Sequence, residues 1–229
     1  VTTSRMCQSM TGKPTILLLC MISTIMASHA GLKRLKVENP YNLQNGDIVF
    51  QEANDAQAKA VKAATNSRWS HVGIVFFHQG APWVLEAVQP VKSTPLKAFI
   101  ARCPRSFYAM RLKNANLHIT PTNIAKARQY GQLQIGKNYD PYFQWSEDRV
   151  YCSELVWKIY KQATGVELCK PRLLGSYNLH HPTVQALIIQ RYGSMSKLSL
   201  NELMVAPSDI AESKLLIEVP RRILKLTRK

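Results

Sequence analysis

Short apolar runs alternate with stretches of helical period along this chain, and a strand-like run comes first. Gly46-Asp47-Ile48-Val49-Phe50 reads as a core strand entered by a tight turn at Asn45-Gly46. Asp55 to Ala64 is alanine-rich and helix-prone, with Ala56, Ala60 and Ala63 on one side. Ser70 to Phe77 is a nearly continuous apolar run opened by His71, the pattern of a buried strand. Trp83 to Val88 reads as a second strand, joined to the first as an antiparallel hairpin by the turn His78-Gln79-Gly80-Ala81-Pro82. From Pro90 to Pro104 a period is clear only over Leu96 to Ile100, which predicts a loop with a short helix. Ser106 to Leu112 alternates as a strand, and Leu215 to Val219 reads as the last one.

The helices carry stronger punctuation. Thr120-Pro121 supplies a cap and a proline at the first helical position, predicting a helix to about Leu133. Thr183 to Tyr192 predicts another. Between them, Asp148 to Trp157 passes from charged residues into a helical stretch that Thr164-Gly165 ends. Leu155, Val156, Ile159 and Tyr160 share one face, and Glu154 and Lys158 are expected to stay in water. Cys152 falls in the first turn. Free N–H groups and the positive end of the helix dipole favour a thiolate there. A thiolate is the form that attacks a carbonyl. Cysteine is also a common small core hydrophobe, and on the helix alone that packing reading is the stronger.

The upstream hairpin reverses the preference. It can place Glu86 beside His71. A carboxylate within an apolar strand needs a partner. A histidine with one nitrogen to be oriented is a fitting one. Nucleophile, base and orienter are then all present, at the ends of different elements.

Four motifs together resemble the NlpC-type papain-like cysteine hydrolases. They are Tyr151-Cys152-Ser153-Glu154-Leu155-Val156, Ser70-His71-Val72-Gly73-Ile74-Val75, Val84-Leu85-Glu86-Ala87 and Gly46 to Phe50. In the parent topology the cysteine helix precedes the histidine strand; here His71 comes first. That order is similar to the circularly permuted branch, the YiiX-like (YebB-like) group, whose C-terminal segment Val205-Ala206-Pro207-Ser208-Asp209-Ile210 also resembles. The resemblance spans roughly residues 43–217. It implies an α+β, circularly permuted papain-like fold, with a small antiparallel sheet packed against helices that include the nucleophile helix. It also implies catalysis by Cys152, His71 and Glu86 through an acyl-enzyme, with no cofactor and no metal. The substrate class it implies is a peptide amide of the cell wall (peptidoglycan). Lipid amides and esters are the alternative, because the permuted branch also resembles acyltransferases of the lecithin–retinol type. Those carry Asn-Cys-Glu-His around the nucleophile, whereas this chain has Tyr-Cys-Ser-Glu, which counts against a close lipid acyltransferase. A non-catalytic module that binds an acyl chain or peptide in a degenerate cleft is the remaining reading.

Neighbouring residues have paired readings. Trp69 is either a substrate wall or a packing residue. Tyr142, in the aromatic loop Gly136 to Trp145, either lines a groove or packs that loop down. Tyr151 is a candidate to help the Cys152 backbone N–H bind the oxyanion. Asp47 is read as holding a turn, Arg68 as solvated, and His180-His181 as surface, since adjacent histidines make a poor metal pair.

The chain has 229 residues, 46% of them hydrophobic, which suits one domain with a real core. Lys and Arg number 30 against 14 acidic residues, a net charge of +16 that favours anionic partners. Cell-wall polymers and an anionic membrane surface fit. Nucleic acid is disfavoured, because no basic and aromatic interleaving and no zinc spacing occur. A merely solubilising surface is an equal alternative. Residues 1–30 read as a secretory signal peptide, with Arg5 and Lys13 before the apolar stretch Thr15 to Ala27 and small residues at Ser28-His29-Ala30. The expected product is exported, periplasmic or secreted; a retained anchor is the alternative. Residues 31–42 form a basic linker, 43–219 the domain, and 220–229 a basic tail able to touch a membrane. A monomer is expected. Cys152 is expected to stay a thiol, with the pairing of Cys103 and Cys169 open.

Overall fold

The computed structural model describes residues 39–222. The signal-peptide reading, most of the linker and most of the basic tail therefore lie outside the described residues. In chain order the elements begin β1 (Ile48–Gln51), α1 (Ala56–Thr65), β2 (His71–His78), β3 (Ala81–Glu86) and β4 (Lys92–Pro95). They continue with α2 (Leu96–Arg102), β5 (Tyr108–Leu112), α3 (Ala115–His118), α4 (Pro121–Gln134), β6 (Asn138–Tyr139) and β7 (Arg149–Val150). The rest are α5 (Cys152–Thr164), β8 (Arg172–Leu173), α6 (Pro182–Tyr192), β9 (Leu203–Met204), α7 (Pro207–Ala211) and β10 (Leu216–Glu218).

One six-stranded sheet runs in the order β10-β5-β1-β2-β3-β4, with every pair antiparallel. Side chains alternate across its pleat. Val72, Ile74 and Phe76 of β2 join Ile48, Phe50 and Leu85 beneath α5, where Leu155, Val156, Ile159 and Tyr160 meet them. Val75, Val49 and Val84 point to the other face and pack on Leu96, Phe99 and Ile100 of α2. A third cluster joins Ala60 of α1 to Val184 and Ile188 of α6. The mixed helices and the antiparallel sheet make this an α+β fold.

Local chemistry explains the element ends. Asp55 accepts from the Ala58 N–H at 2.9 Å to start α1. Ala60 and Ala63 of the expected stripe pack into the cluster with α6, while Ala58 is buried on the opposite side of the helix. Thr120 caps α4 through the Asn123 N–H at 3.2 Å. Gly165 ends α5 in the left-handed region, at φ 75°. Exposed His181 caps α6, its Nδ1 accepting from the Thr183 N–H at 3.2 Å.

Three expectations need correction. The hairpin turn is only Gln79-Gly80, both residues at positive φ, so β3 starts at Ala81 and includes Pro82. Pro82 pairs with Phe77, one rung beyond the turn-closing pair His78 and Ala81. An antiparallel ladder asks for no N–H at such a rung. Glu154 and Lys158 are buried, not wet, as described below. Tyr41, expected in the linker, is wholly buried and forms a bridge with Arg221.

Candidate active site

Helix α5 carries Cys152 at its first position, where the residue's N–H has no acceptor within the helix. The turn before it is fixed from two sides. The Tyr151 N–H donates to the Glu154 carboxylate at 3.3 Å. Val205 grips both neighbours of the cysteine: its N–H donates to the Tyr151 hydroxyl at 3.2 Å, and its carbonyl accepts from Ser153 Oγ at 2.6 Å. The segment Val205 to Ile210 thus acts as a clamp on the nucleophile turn.

Glu154 is fully buried beside Lys158, with Nζ 2.9 Å from Oε1. Lys158 also donates to Glu147 at 2.7 Å and to the Ser146 carbonyl at 2.8 Å. The helical period puts both residues off the apolar face, but the loop before β7 folds over that flank, with Trp145 against the Lys158 ammonium. Burial raises the Glu154 carboxyl, which Lys158 and the Tyr151 N–H pull back down, to a balance of about 7.

His71 is the first residue of β2 and Glu86 the last of β3. The register sets Leu85 opposite Ile74, so Glu86 falls opposite Gly73 and lies diagonal to His71 on the same sheet face. His71 Nε2 lies 2.6 Å from Glu86 Oε2. Arg102 of α2 donates to that same oxygen at 2.5 Å, and Thr94 of β4 donates to Oε1 at 2.6 Å. Burial raises the Glu86 carboxyl, but His71, Arg102 and Thr94 outweigh it and hold it at about 2. Burial pushes His71 down; hydrogen bonding to Cys152 and Glu86 outweighs that and lifts it to about 9. The imidazole is therefore protonated near neutral pH, bonded to the carboxylate through Nε2 and facing the sulfur.

The remaining predicted residues take different places. Tyr151 is buried, its ring edge-to-face with Phe143 at 5.4 Å, and both its N–H and its hydroxyl are engaged as above. Tyr142 packs edge-on against Tyr192 at 5.2 Å and lines a hollow beside Cys152. Trp69 stacks on Tyr108 at 5.3 Å and packs near Phe50, beside the site rather than in its wall. Asp47 holds its turn, accepting from Gln44 N–H at 2.7 Å and from Arg111 at both oxygens. Cys103, Cys152 and Cys169 are all free thiols, so Cys103 and Cys169 do not pair.

Tyr139 belongs to the aromatic loop, but the sequence does not single it out from the other rings there. It lines hollows on both sides of the centre, and its hydroxyl accepts from Gln57 Nε2 at 2.7 Å, leaving its own proton to donate. Burial, and after it the charge of Cys152, lift this phenol well above its ordinary range. Phe143 adopts φ 55°, a strained value for a bulky residue, held by Asp140, which accepts from the N–H groups of Tyr142 and Gln144. The signal available was the aromatic loop itself; which of its rings faces the thiol depends on the Asp140 turn.

Known proteins resemble this chain. The uncharacterized protein YiiX of Escherichia coli (strain K12) is 38% identical over 178 residues, covering 78% of this chain and 86% of the relative. A crystal structure of yiiX from Escherichia coli O157:H7, described as a metalloprotein, matches with a TM-score of 0.72 at 37% identity. It covers 78% of this chain and 97% of that one. Among the described residues of this chain, no three His, Cys, Asp or Glu side chains stand together as a metal-binding group. Both Glu86 oxygens are already occupied by donors. The donor set of the described residues does not fit a metal. The model of the permuted papain-like amidase enzymes, the YaeF/YiiX or C92 family, matches residues 42–219, and the chain belongs to that family.

Proposed function

We propose that the chain is a thiol amidase in which Cys152 is the nucleophile, His71 the proton carrier and Glu86 the residue that orients His71. The observation that carries this reading is the single imidazole held between a buried carboxylate, 2.6 Å away, and the cysteine at the head of α5. The Cys152 sulfur attacks the amide carbonyl, and the oxyanion finds the unpaired Cys152 N–H, a type of donor worth about 3–4 kcal/mol. The Tyr139 hydroxyl is a second donor near the same sulfur. His71 gives its proton to the departing nitrogen as the carbon–nitrogen bond breaks. It then takes a proton from the water that attacks the thioester, releasing the acid and restoring the cysteine.

Two substrate classes fit such a centre. An exported basic protein would meet the peptide amides of a cell wall, and its charge would hold it at anionic polymers or an anionic membrane surface. An acyl-lipid amide is the second class, and the apolar hollow beside Cys152 favours it. The test common to both is alkylation of the folded protein with limiting iodoacetamide, followed by peptide mapping. Cys152 should react faster than Cys103 and Cys169, and His71→Ala should remove that advantage along with about a hundredfold or more of amide turnover. Equal labelling of Cys152 in wild type and variant would defeat the assignment.

A further inference from the structure

Two residues after Cys152, a carboxylate is sealed inside the protein. Glu154 is fully buried, and its Oε1 makes no aligned hydrogen bond although the Lys158 ammonium stands 2.9 Å away. Lys158 is almost as enclosed, its side chain 9% exposed. Taking two charges out of water costs about what their attraction returns, and apolar residues of equal volume often hold a fold as well. Stability alone therefore does not account for the pair, and its place in the fold suggests another role.

Glu154 and Lys158 complete a ring of contacts around the nucleophile turn. The Tyr151 N–H donates to the Glu154 carboxylate at 3.3 Å, so Glu154 caps the start of α5 from its third position. Lys158 carries the contact to the loop before β7, donating to the Ser146 carbonyl and to Glu147, with its ammonium 5.3 Å from the centre of the Trp145 ring. The Trp145 N–H donates to Glu202 at 2.8 Å, three residues before Val205. Val205 then returns to the turn through the Tyr151 hydroxyl and Ser153 Oγ. Cys152 sits inside this ring, between Tyr151 and Ser153. Of the carboxylates in the ring, Glu147 is exposed and Glu202 half-buried, and only Glu154 is shut away from water.

Resting on the reading of Cys152 as the nucleophile, we propose that Glu154 and Lys158 are positioning residues, and that the charge on Glu154 sets how firmly the Cys152 turn is held and so how fast its sulfur reacts. The ionised carboxylate makes a charge-assisted bond to the Tyr151 N–H. That bond holds the Tyr151 backbone, and through it the Cys152 N–H, in a fixed direction. A preset donor of this kind costs no rearrangement when the oxyanion forms. Protonation of Glu154 weakens the bond and leaves the Lys158 ammonium without its buried partner. The groups that face the pair are Glu147 and Asp140 from the loop, Tyr130 from α4, and Tyr151. Burial raises the Glu154 carboxyl, and Lys158 with the Tyr151 N–H restrains it to about 7, so the charge is present above neutral pH and lost below it.

The test is the rate of Cys152 alkylation by iodoacetamide across pH, in the full chain and in Glu154→Gln, which keeps the shape and removes the charge. The ratio of wild type to variant should be about threefold to tenfold at about pH 8.5, the advantage of a charged acceptor, and should approach one at about pH 5.5, where both side chains are neutral. Lys158→Met should move the midpoint of this change to higher pH, because the carboxylate loses its cation; an unmoved midpoint would strike Lys158 from the proposal. A cap that serves the fold alone would lower the urea midpoint of Glu154→Gln and leave the ratio constant with pH. A constant ratio, or one below unity at the higher pH, would overturn the proposal. If Glu154→Gln does not fold, the double variant Glu154→Leu, Lys158→Met, with an apolar pair in place of the charges, is read in the same ratio and judged the same way. If Cys152 reacts no faster than Cys103 and Cys169 in wild type, the nucleophile reading fails, while the pH dependence of the ratio still decides whether Glu154 governs the turn.

Discussion

His71 is largely withdrawn from water, which disfavours its charge, yet it is held charged by its two partners, so its titration reports on them. It is raised to about 9 while Glu86 is lowered to about 2. The raised imidazole contributes stability in full below its ordinary 6.5 and loses it as pH rises through about 9. The lowered carboxylate contributes in full above its ordinary 4.5 and loses it as pH falls through about 2. The pair is thus at full strength between about pH 4.5 and 6.5. Turnover needs the His71 proton for the leaving nitrogen, so kcat/KM should show an alkaline limb near pH 9. Glu86→Gln removes the charge that holds the imidazolium, and the limb should move to lower pH. A pH–rate profile of both proteins checks this, and a limb that does not move would assign it to another group. At this scale His71 and Glu86 were legible because each interrupts an apolar run. Arg102 and Thr94 were not. An arginine ending a short helix and a threonine among polar neighbours look like ordinary surface residues until tertiary folding turns them onto Glu86.

The β2–β3 hairpin is the element that sets the distance between His71 and Glu86, and Gly73 sets how closely its strands approach. A Cβ at residue 73 would stand 2.4 Å from Val84 Cγ1 and 3.1 Å from the Leu85 carbonyl oxygen. The Val84 side chain can turn, but the Leu85 backbone oxygen has less freedom to give. Gly73→Ala should therefore lower stability by about 1–3 kcal/mol, the usual cost of overpacking, and slow Cys152 alkylation by loosening the dyad. Urea unfolding measures the first effect and the alkylation rate the second; unchanged values in both would show that the strands separate freely. The hairpin was readable from its two apolar runs, but its turn was placed too wide because Pro82 resembles a strand breaker. Its nitrogen faces a rung that needs no N–H, a fact of register that composition does not carry. The misplacement of Glu154 and Lys158 has the same origin. Periodicity identifies the face of α5 that meets the sheet, but it does not show the loop through Trp145 that covers a second flank.

For the whole molecule, the order of motifs is the main constraint, since His71 precedes Cys152 while the parent topology runs the other way. Such a rearrangement requires the ends of the domain to be neighbours in space. They are: Tyr41 bridges Arg221, the Asn42 N–H donates to the Pro220 carbonyl at 2.9 Å, and the Arg222 N–H donates to the Pro40 carbonyl at 2.7 Å. The active site depends on contacts among β2, β3, α5 and the Val205 clamp, none of which needs a particular covalent order. Residues 39 and 222 could therefore be joined by a linker of about five glycine and serine residues, long enough to span a short gap. The chain could be opened at the exposed turn between Lys113 and Asn114, which follows β5 and lies outside both hollows beside Cys152. In that permutant α5 would precede β2, restoring the parent order of nucleophile before base. We expect it to unfold cooperatively and to retain selective alkylation of Cys152. Loss of the selective alkylation in a cooperatively folded permutant would mean that the native connection near Lys113 positions the site. Failure to fold would mean that β5 and β10 need their present connections to pair.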